Sequence, residues 1–220
     1  MNHVIYRDLG RIAYARAWDI QRSIHAARAA GIGEDHLLFC EHEPVITMGK
    51  SGKRENLLVS DGELQRRGIS YFEVERGGDL TYHGPGQLVG YPIFKLARLR
   101  DVQAFVRKME ESIIRALAHF GVRGERRADH AGVFVRAAKI ASIGAAVKSG
   151  VTFHGFALDV CTDLSYFHVI NPCGMPGVGL TTIARECGRE VALAEVKPVL
   201  REALADVFEW QLLDEVQAAS

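Results

Sequence analysis

The chain has 220 residues, of which 48% are hydrophobic and 25% are charged. These fractions are typical of globular domains, so a disordered or fibrous protein is excluded. The 27 basic residues balance the 27 acidic residues and give a formal net charge of zero. Because a neutral chain has no overall field that attracts polyanions, we expect neither nucleic acid nor a membrane as a partner.

The sequence contains no repeat and no linker rich in proline or serine, so we expect a single domain over residues 1–220. Its N-terminus reaches charged residues at once, and no apolar run approaches the ~18 residues of a membrane span. No two of the four cysteines have the C-x-x-C spacing of a metal or redox site. We therefore expect a cytoplasmic protein with reduced thiols and no metal ion.

Three segments have the periodicity of amphipathic helices, at residues 14–28, 102–120 and 193–213. The second is the clearest, because Asp101 can cap its start and Gly121 can end it. These segments should each present an apolar stripe to a core.

Six short runs have β-type composition, at residues 37–40, 70–74, 88–94, 132–135, 140–147 and 151–160. Only Lys148, Ser149 and Gly150 separate the last two runs, which predicts an antiparallel hairpin. The runs do not alternate regularly with the helices. This order favours an α+β domain, with helices on one side of a mixed or mostly antiparallel sheet.

A glycine-rich segment, RGGDLTYHGPGQ at residues 76–87, joins two of these runs. Its glycines let the backbone approach a ligand closely, and its polar side chains can supply hydrogen-bond donors. The same composition also fits an ordinary hairpin. It is not a nucleotide loop of the G-x-G-x-x-G or Walker type, and the Gly49-Lys50-Ser51 sequence fails that pattern because Pro44 occupies the required glycine position.

Cys173 lies in a loop constrained by two prolines and three glycines, NPCGMPGVG. We expect it to be the reactive thiol of the four and expect structural or incidental roles for the others, Cys40, Cys161 and Cys187. A reactive cysteine needs a cation nearby to stabilise its thiolate. Lys139 can supply that cation, although a lysine at the start of an apolar segment ordinarily reaches back to solvent.

Five blocks together closely resemble the octanoyltransferases of protein lipoylation, also called lipoyl(octanoyl) transferases. They are HEPVITMG at 42–49, RGGDLTYHGPGQLV at 76–89, KIASIG at 139–144, HGFA at 154–157 and NPCG at 171–174. Each block is modest alone, but they occur in the family order. Asp159 departs from the family pattern, in which we expect asparagine.

The resemblance implies an α+β fold shared with the lipoate and biotin protein ligases, and a two-step acyl transfer. Cys173 would take an octanoyl group from octanoyl-acyl carrier protein as a thioester. It would then pass that group to a lysine of a lipoyl domain, on 2-oxoacid dehydrogenases or on the glycine cleavage H protein. Lys139 would lower the pKa of Cys173 and shuttle protons.

The resemblance also implies a set of substrate-contacting residues and no cofactor. Carried over one by one, those residues are Arg76, Gly77, Gly78, Asp79, Leu80, Thr81, Tyr82, His83, Ser142, Ile143, Gly144, Gly155, Phe156 and Ala157. Conversion of a thioester to an amide is downhill, so no nucleotide is needed. Backbone amides of the glycine-rich loop can stabilise the oxyanion, and Ile143, Phe156 and Leu80 can form an apolar slot for the acyl chain.

Acidic carrier and acceptor proteins would need a cation at the pocket mouth, and Arg76 is the residue that the sequence places there. Three other functions remain open. A ligase of the same fold would activate lipoate or biotin with ATP, and an inert binder would hold the acyl carrier without reacting. A cysteine hydrolase would pair Cys173 with His83 or His154 and release free acid.

Overall fold

Ten strands and five α-helices make up the regular structure of the residues that the computed structural model describes, 2–97, 101–128, 130–171 and 178–215. In chain order they are β1 (Asn2–Ile12), α1 (Tyr14–Ala29), β2 (Asp35–His42), β3 (Val45–Met48), α2 (Asp61–Arg66), β4 (Ser70–Glu73), β5 (Leu80–His83), β6 (Gln87–Ile93), α3 (Val102–His119), β7 (Gly132–Val135), β8 (Ala138–Lys148), β9 (Val151–Asp159), α4 (Ile183–Cys187), α5 (Leu193–Phe208) and β10 (Trp210–Asp214). Two short 3-10 helices, Arg54–Asn56 and Leu164–Val169, complete the set.

The strands form two sheets. The large sheet has seven strands in the order β10-β1-β2-β6-β9-β8-β7, parallel from β10 to β2 and antiparallel from β2 to β7. The small sheet has the order β4-β3-β5, with β3 parallel to β4 and antiparallel to β5. Mixed sheets with packed helices agree with the predicted α+β class.

Helices cover both faces of the large sheet, which corrects the expectation of helices on one side. Side chains of β2 alternate between the faces: Leu37 and Phe39 pack with α3 and α5, whereas Leu38 and Cys40 pack with α1. All four are fully buried. A strand that is apolar at successive positions must be covered on both sides, and this pattern was the available signal in the sequence.

Most predicted elements are confirmed, and the exceptions have physical causes. Strands β8 and β9 form the expected hairpin around Ser149 and Gly150, both with positive φ. The third predicted helix corresponds to α5, which ends at Phe208 and not at residue 213 because Glu209 adopts a left-handed conformation with φ of 59°. The segment after it becomes strand β10 and pairs with β1. Among the described residues, no helix has the length and apolarity that a membrane span requires.

Candidate active site

A pocket opens between the small sheet and strands β6, β8 and β9 of the large sheet. It encloses about 490 Å³ of space, including its open mouth. Its lining residues are Tyr14, Arg76, Gly77, Gly78, Thr81, His83, Val89, Tyr91, Ser142, Ile143, Gly144, His154, Gly155, Phe156 and Ala157. The structure therefore brings together eleven of the fourteen residues expected to contact substrate.

The other three, Asp79, Leu80 and Tyr82, do not line the pocket. Successive side chains of a strand point to opposite faces, so Thr81 and His83 of β5 face the pocket while Leu80 and Tyr82 face away. Leu80 and Tyr82 are buried in a separate core beneath the small sheet. Leu80 is thus not a wall of the expected acyl slot.

Asp79 organises a neighbouring loop. Its carboxylate accepts hydrogen bonds from the backbone N–H groups of Lys53 (3.1 Å) and Leu80 (2.8 Å) and from the side-chain amide of Asn56. These contacts tie the residue 53–56 turn to the start of β5.

The glycine-rich loop is held in place from two sides. The N–H of Gly77 donates to Ala145 of β8 at 3.1 Å, and the N–H of Ser51 donates to Gly78 at 3.2 Å. Gly49 packs so tightly here that an added Cβ would lie 2.8 Å from the carbonyl oxygen of Arg76. The 42–49 block, to which the sequence assigned no role, therefore supports this loop. Because the Gly77 N–H is already engaged, it is not a free donor for an oxyanion.

Arg76 is buried, with 7% of its surface exposed. Its guanidinium donates to the Thr47 carbonyl at 2.6 Å, to the Thr47 hydroxyl at 2.9 Å and to the Gly77 carbonyl at 3.0 Å. A buried guanidinium cannot serve as an exposed cation for docking acidic proteins. The expectation that placed Arg76 at the pocket mouth in that role is therefore wrong.

Two of the expected contact glycines differ in what surrounds them. A Cβ on Gly144 would lie 3.0 Å from Cδ of Arg76 and 3.3 Å from the carbonyl oxygen of Gly77, which are tight contacts without severe overlap. A Cβ on Gly155 would overlap the carbonyl oxygen of Gly90 and lie 2.6 Å from Cδ of Pro92. Gly155 lines the pocket, but its lack of a side chain is required by the packing of β9 against β6.

His83, which lines the pocket, begins a chain of buried polar groups that continues through Gln87 to Asp159. Nδ1 of His83 lies 2.7 Å from Oε1 of Gln87, and Nε2 of Gln87 lies 2.9 Å from Asp159. Burial raises the pKa of Asp159 to about 7, although Gln87, Thr162 and Lys139 act in the opposite direction. Burial, and then the nearby His42, lowers the pKa of His83 to about 3. His83 is therefore neutral at physiological pH.

Sequence reasoning missed the aromatic residues that line the pocket beside His83, Tyr14 and Tyr91, and the nearby His42. Tyr14 of α1 stacks on His83, and Tyr91 of β6 lies 2.6 Å from Nε2 of His42. Nδ1 of His42 lies 2.9 Å from the carbonyl oxygen of Ile12 and can only donate to it, so the Tyr91 hydroxyl donates to Nε2. For His42 and Tyr91, the signal available in the sequence was a polar or aromatic residue inside an otherwise apolar strand.

Lys139 lies at the start of β8 and is buried, with 5% of its surface exposed. Its backbone is hydrogen-bonded to the segment that follows Cys173 in sequence. The N–H of Lys139 donates to the Gly179 carbonyl at 2.8 Å, and the N–H of Thr181 donates to the Lys139 carbonyl at 3.0 Å. A Cβ on Gly132 would lie 2.7 Å from Cε of Lys139, so glycine at that position leaves room for the lysine side chain. The ordinary interpretation, a lysine that reaches to solvent, is wrong here.

Cys173 itself lies outside the described residues. The described chain before it ends at Asn171, whose N–H donates to Asn56 at 2.8 Å. The other three cysteines are free thiols. Cys40 is fully buried, and burial raises the pKa of its thiol. Burial also raises the pKa of Cys161, and Cys187 lies 3.4 Å from the carbonyl oxygen of Phe120.

The family model described as the lipoyl protein ligase A/B catalytic domain matches residues 13–205. The octanoyltransferase of Chloroflexus aurantiacus is 50% identical over 204 residues, which cover 91% of this chain and 92% of that one. The octanoyltransferase of Parabacteroides distasonis is 45% identical over 92% of this chain and 97% of its own length. This chain belongs to the octanoyltransferase family. It is therefore an acyltransferase.

Octanoyltransferases differ in overall length. The relative from Porphyromonas gingivalis is 47% identical over 89% of this chain, but the match spans only 42% of that protein.

Solved structures confirm the predicted fold of this chain. A bi-partite lipoate protein ligase from Thermoplasma acidophilum superposes with a TM-score of 0.74 at 16% identity, covering 97% of this chain and 86% of that one. Lipoate-protein ligase A bound with ATP gives 0.75 at 15% identity, with 98% and 90% covered. Biotin protein ligase from Aquifex aeolicus gives 0.53 at 9% identity, with 94% and 69% covered. At these identities the likeness concerns the fold.

Proposed function

We propose that this chain transfers an octanoyl group from octanoyl-acyl carrier protein to a lysine of lipoyl domains, through a thioester on Cys173. The observation that carries the proposal is the convergence of separate sequence blocks on one pocket. The 76–78 loop, β8 and β9 contribute adjacent walls of it. Such convergence is expected when distant blocks bind one substrate.

The described chain on both sides of Cys173 supports its place in this site. The N–H of Asn171 donates to the carbonyl oxygen of Asn56, and the side-chain amide of Asn56 donates to Asp79 in the glycine-rich segment. The carbonyl oxygen of Gly179 accepts a hydrogen bond from the backbone N–H of Lys139. The segment that carries Cys173 therefore leaves one element of the candidate site and rejoins the chain beside the proposed partner lysine.

In the first step, the Cys173 thiolate attacks the carbonyl carbon of the octanoyl thioester. A new carbon–sulfur bond forms, the bond to the carrier protein's sulfur breaks, and that sulfur leaves as a thiol after taking up a proton. The positive charge of Lys139 lowers the pKa of Cys173 by stabilising the thiolate, and Lys139 delivers the proton to the leaving sulfur.

In the second step, the amine of the acceptor lysine attacks the Cys173 thioester. The amide bond forms, the carbon–sulfur bond breaks, and the proton lost by the amine returns to the cysteine sulfur. The octanoyl chain would lie against the apolar groups of Ile143, Phe156 and Val89, which line the pocket. No energy-rich nucleotide is consumed, because a thioester is already activated.

Intact-mass spectrometry tests the proposal. The protein is mixed with octanoyl-acyl carrier protein in the absence of ATP, and its mass is measured before and after addition of a lipoyl domain. We expect one octanoyl group on the enzyme that hydroxylamine removes, followed by one on the acceptor lysine that hydroxylamine does not remove.

Each alternative gives a different outcome in the same assay. An ATP-dependent lipoate or biotin ligase would modify the acceptor only after ATP and the free acid are added. An inert binder would gain no covalent mass, and a hydrolase would release free octanoate. An acceptor that stays unmodified at long times, with both proteins folded, would refute the proposal.

A further inference from the structure

The amide orientation of Gln87 is fixed by the groups around it. Its Nε2 lies 3.3 Å from the backbone carbonyl oxygen of Tyr82 and 2.9 Å from a carboxyl oxygen of Asp159. A carbonyl oxygen can only accept, so the nitrogen and not the oxygen of the Gln87 amide must face Tyr82. The Gln87 oxygen then faces His83.

This orientation in turn fixes the proton of His83. Nδ1 of His83 lies 2.7 Å from Oε1 of Gln87, and an amide oxygen can only accept a hydrogen bond. Nδ1 must therefore carry the proton and donate it. Because burial lowers the pKa of His83 to about 3, the ring is neutral near pH 7 and Nε2 carries no proton.

The bare Nε2 of His83 is an available hydrogen-bond acceptor. His83 lines the pocket, and none of the described residues makes a hydrogen bond to its Nε2. The ring of Tyr14 lies parallel to that of His83, with 6.4 Å between the ring centroids. The atom therefore matches a group of the ligand that carries an N–H or O–H.

We propose that Gln87 and Asp159 are positioning residues that hold His83 as the Nδ1–H tautomer, so that its Nε2 accepts a hydrogen bond from the attacking amine of the acceptor lysine. The assignment of the amine rests on the proposed function. The octanoyl thioester carries no N–H or O–H, so the amine is the donor among the incoming reacting groups. A hydrogen bond to Nε2 orients the amine so that its lone pair faces the thioester carbon.

His83 orients the amine without keeping its proton. A group with a pKa of about 3 is too weak a base to hold a proton at neutral pH. The proton therefore leaves the nitrogen for the cysteine sulfur as the amide forms, as in the second step above.

The first test is NMR of the whole protein labelled with ¹⁵N-histidine, in which long-range ¹H–¹⁵N correlations report each ring tautomer. His83→Phe identifies the signals of His83. We expect the Nδ1–H tautomer in the wild type at pH 7 and a shift toward the Nε2–H tautomer in Gln87→Met. Gln65→Met, at an exposed site on α2, is the matched control and should leave the tautomer unchanged.

The second test separates the two half-reactions in single-turnover experiments. Gln87→Met should slow attack by the lipoyl-domain amine about tenfold, the usual effect of one misdirected hydrogen bond, and leave acylation of the enzyme within about twofold. A loss of general structure would slow both. Asp159→Asn keeps an oxygen that accepts from Gln87, so it should hold the tautomer better than Asp159→Leu.

Three results would overturn the proposal: an Nε2–H or charged His83 in the wild type, an unchanged tautomer in Gln87→Met, or equal slowing of both half-reactions in a Gln87→Met protein whose circular dichroism and Tm match those of the wild type. The wild-type tautomer is measured without any variant, so the proposal can still be refuted if Gln87→Met does not fold. A wild-type enzyme that shows the Nδ1–H tautomer but never transfers octanoate would refute the proposed function and the role of the amine, while leaving the tautomer assignment intact.

Discussion

Replacement of Gly155 by alanine should destabilise the whole protein, even though Gly155 lines the candidate pocket. The added Cβ would overlap the carbonyl oxygen of Gly90 and lie 2.6 Å from Cδ of Pro92. Ordinary contacts of a Cβ begin near 3.4 Å, so the overlap with Pro92 alone is about 0.8 Å. Neither neighbour is the end of a flexible side chain.

The loss of unfolding free energy in Gly155→Ala depends on which atoms must move to relieve the overlap. Gly90 and Phe156 are paired in the ladder between β6 and β9, so relief of the overlap requires displacement of hydrogen-bonded strands at the centre of the large sheet. Overpacking of a core costs ~1–3 kcal/mol, and backbone overlap places Gly155→Ala at or above ~3 kcal/mol. For a chain of this size, that loss lowers Tm by roughly 6–12 °C.

Urea denaturation and thermal unfolding measure the effect, with two glycine-to-alanine controls. The nearest atoms to a Cβ on Gly144 are at 3.0 and 3.3 Å, so Gly144→Ala requires smaller shifts and should lose less stability than Gly155→Ala. Gly62 lies in helix α2 with its nearest neighbour at 3.9 Å, so Gly62→Ala should be stabilising by ~0.5–1 kcal/mol. An unfolding free energy for Gly155→Ala within ~1 kcal/mol of the wild type would refute the packing argument.

Three further predictions concern the reacting groups and the buried carboxyl. Cys173→Ala should abolish octanoyl transfer while alanine at each of the other three cysteines retains most of it; an acyl-trapped peptide from another cysteine would contradict this. Lys139→Met should raise the pKa of Cys173, because it removes the positive charge that we propose stabilises the thiolate. The rate of iodoacetamide alkylation should then increase at a higher pH than in the wild type. An unchanged pH profile would exclude the pairing of Lys139 with Cys173. Because burial raises the pKa of Asp159 from 3.8 to about 7, the folded state favours its protonated form, and the unfolding free energy should fall as pH rises from about 4 to about 7. Urea titrations at pH 5 and pH 7.5 measure this fall in the unfolding free energy, which should be on the order of 3 kcal/mol in the wild type and absent in Asp159→Asn. The same pH dependence in the wild type and in Asp159→Asn would contradict the raised pKa of Asp159.

The elements with strong local signals were predictable from the sequence. The apolar stripe of α3, with Phe105, Met109, Ile113 and Leu117 all buried, follows directly from its periodicity. The β8–β9 hairpin follows from its short turn. Strands β1 and β10 lacked such a signal: β10 reads as a continuation of α5, and the helix ends before it because Glu209 turns left-handed. Pairing with a distant strand, rather than local preference, decides that segment.

In the candidate site, too, some features were predictable from the sequence and others depend on the tertiary structure. The sequence motifs identified segments that meet at one pocket, because the blocks at 76–89, 139–144 and 154–157 each combine particular residues at fixed local spacing. They did not identify which side chain faces the pocket, since Leu80 and His83 belong to one motif but to opposite faces of β5. Nor did they show that Arg76 is buried against Thr47. Both properties depend on which strand pairs with which, and that pairing is set by long-range packing of two sheets rather than by neighbours along the chain.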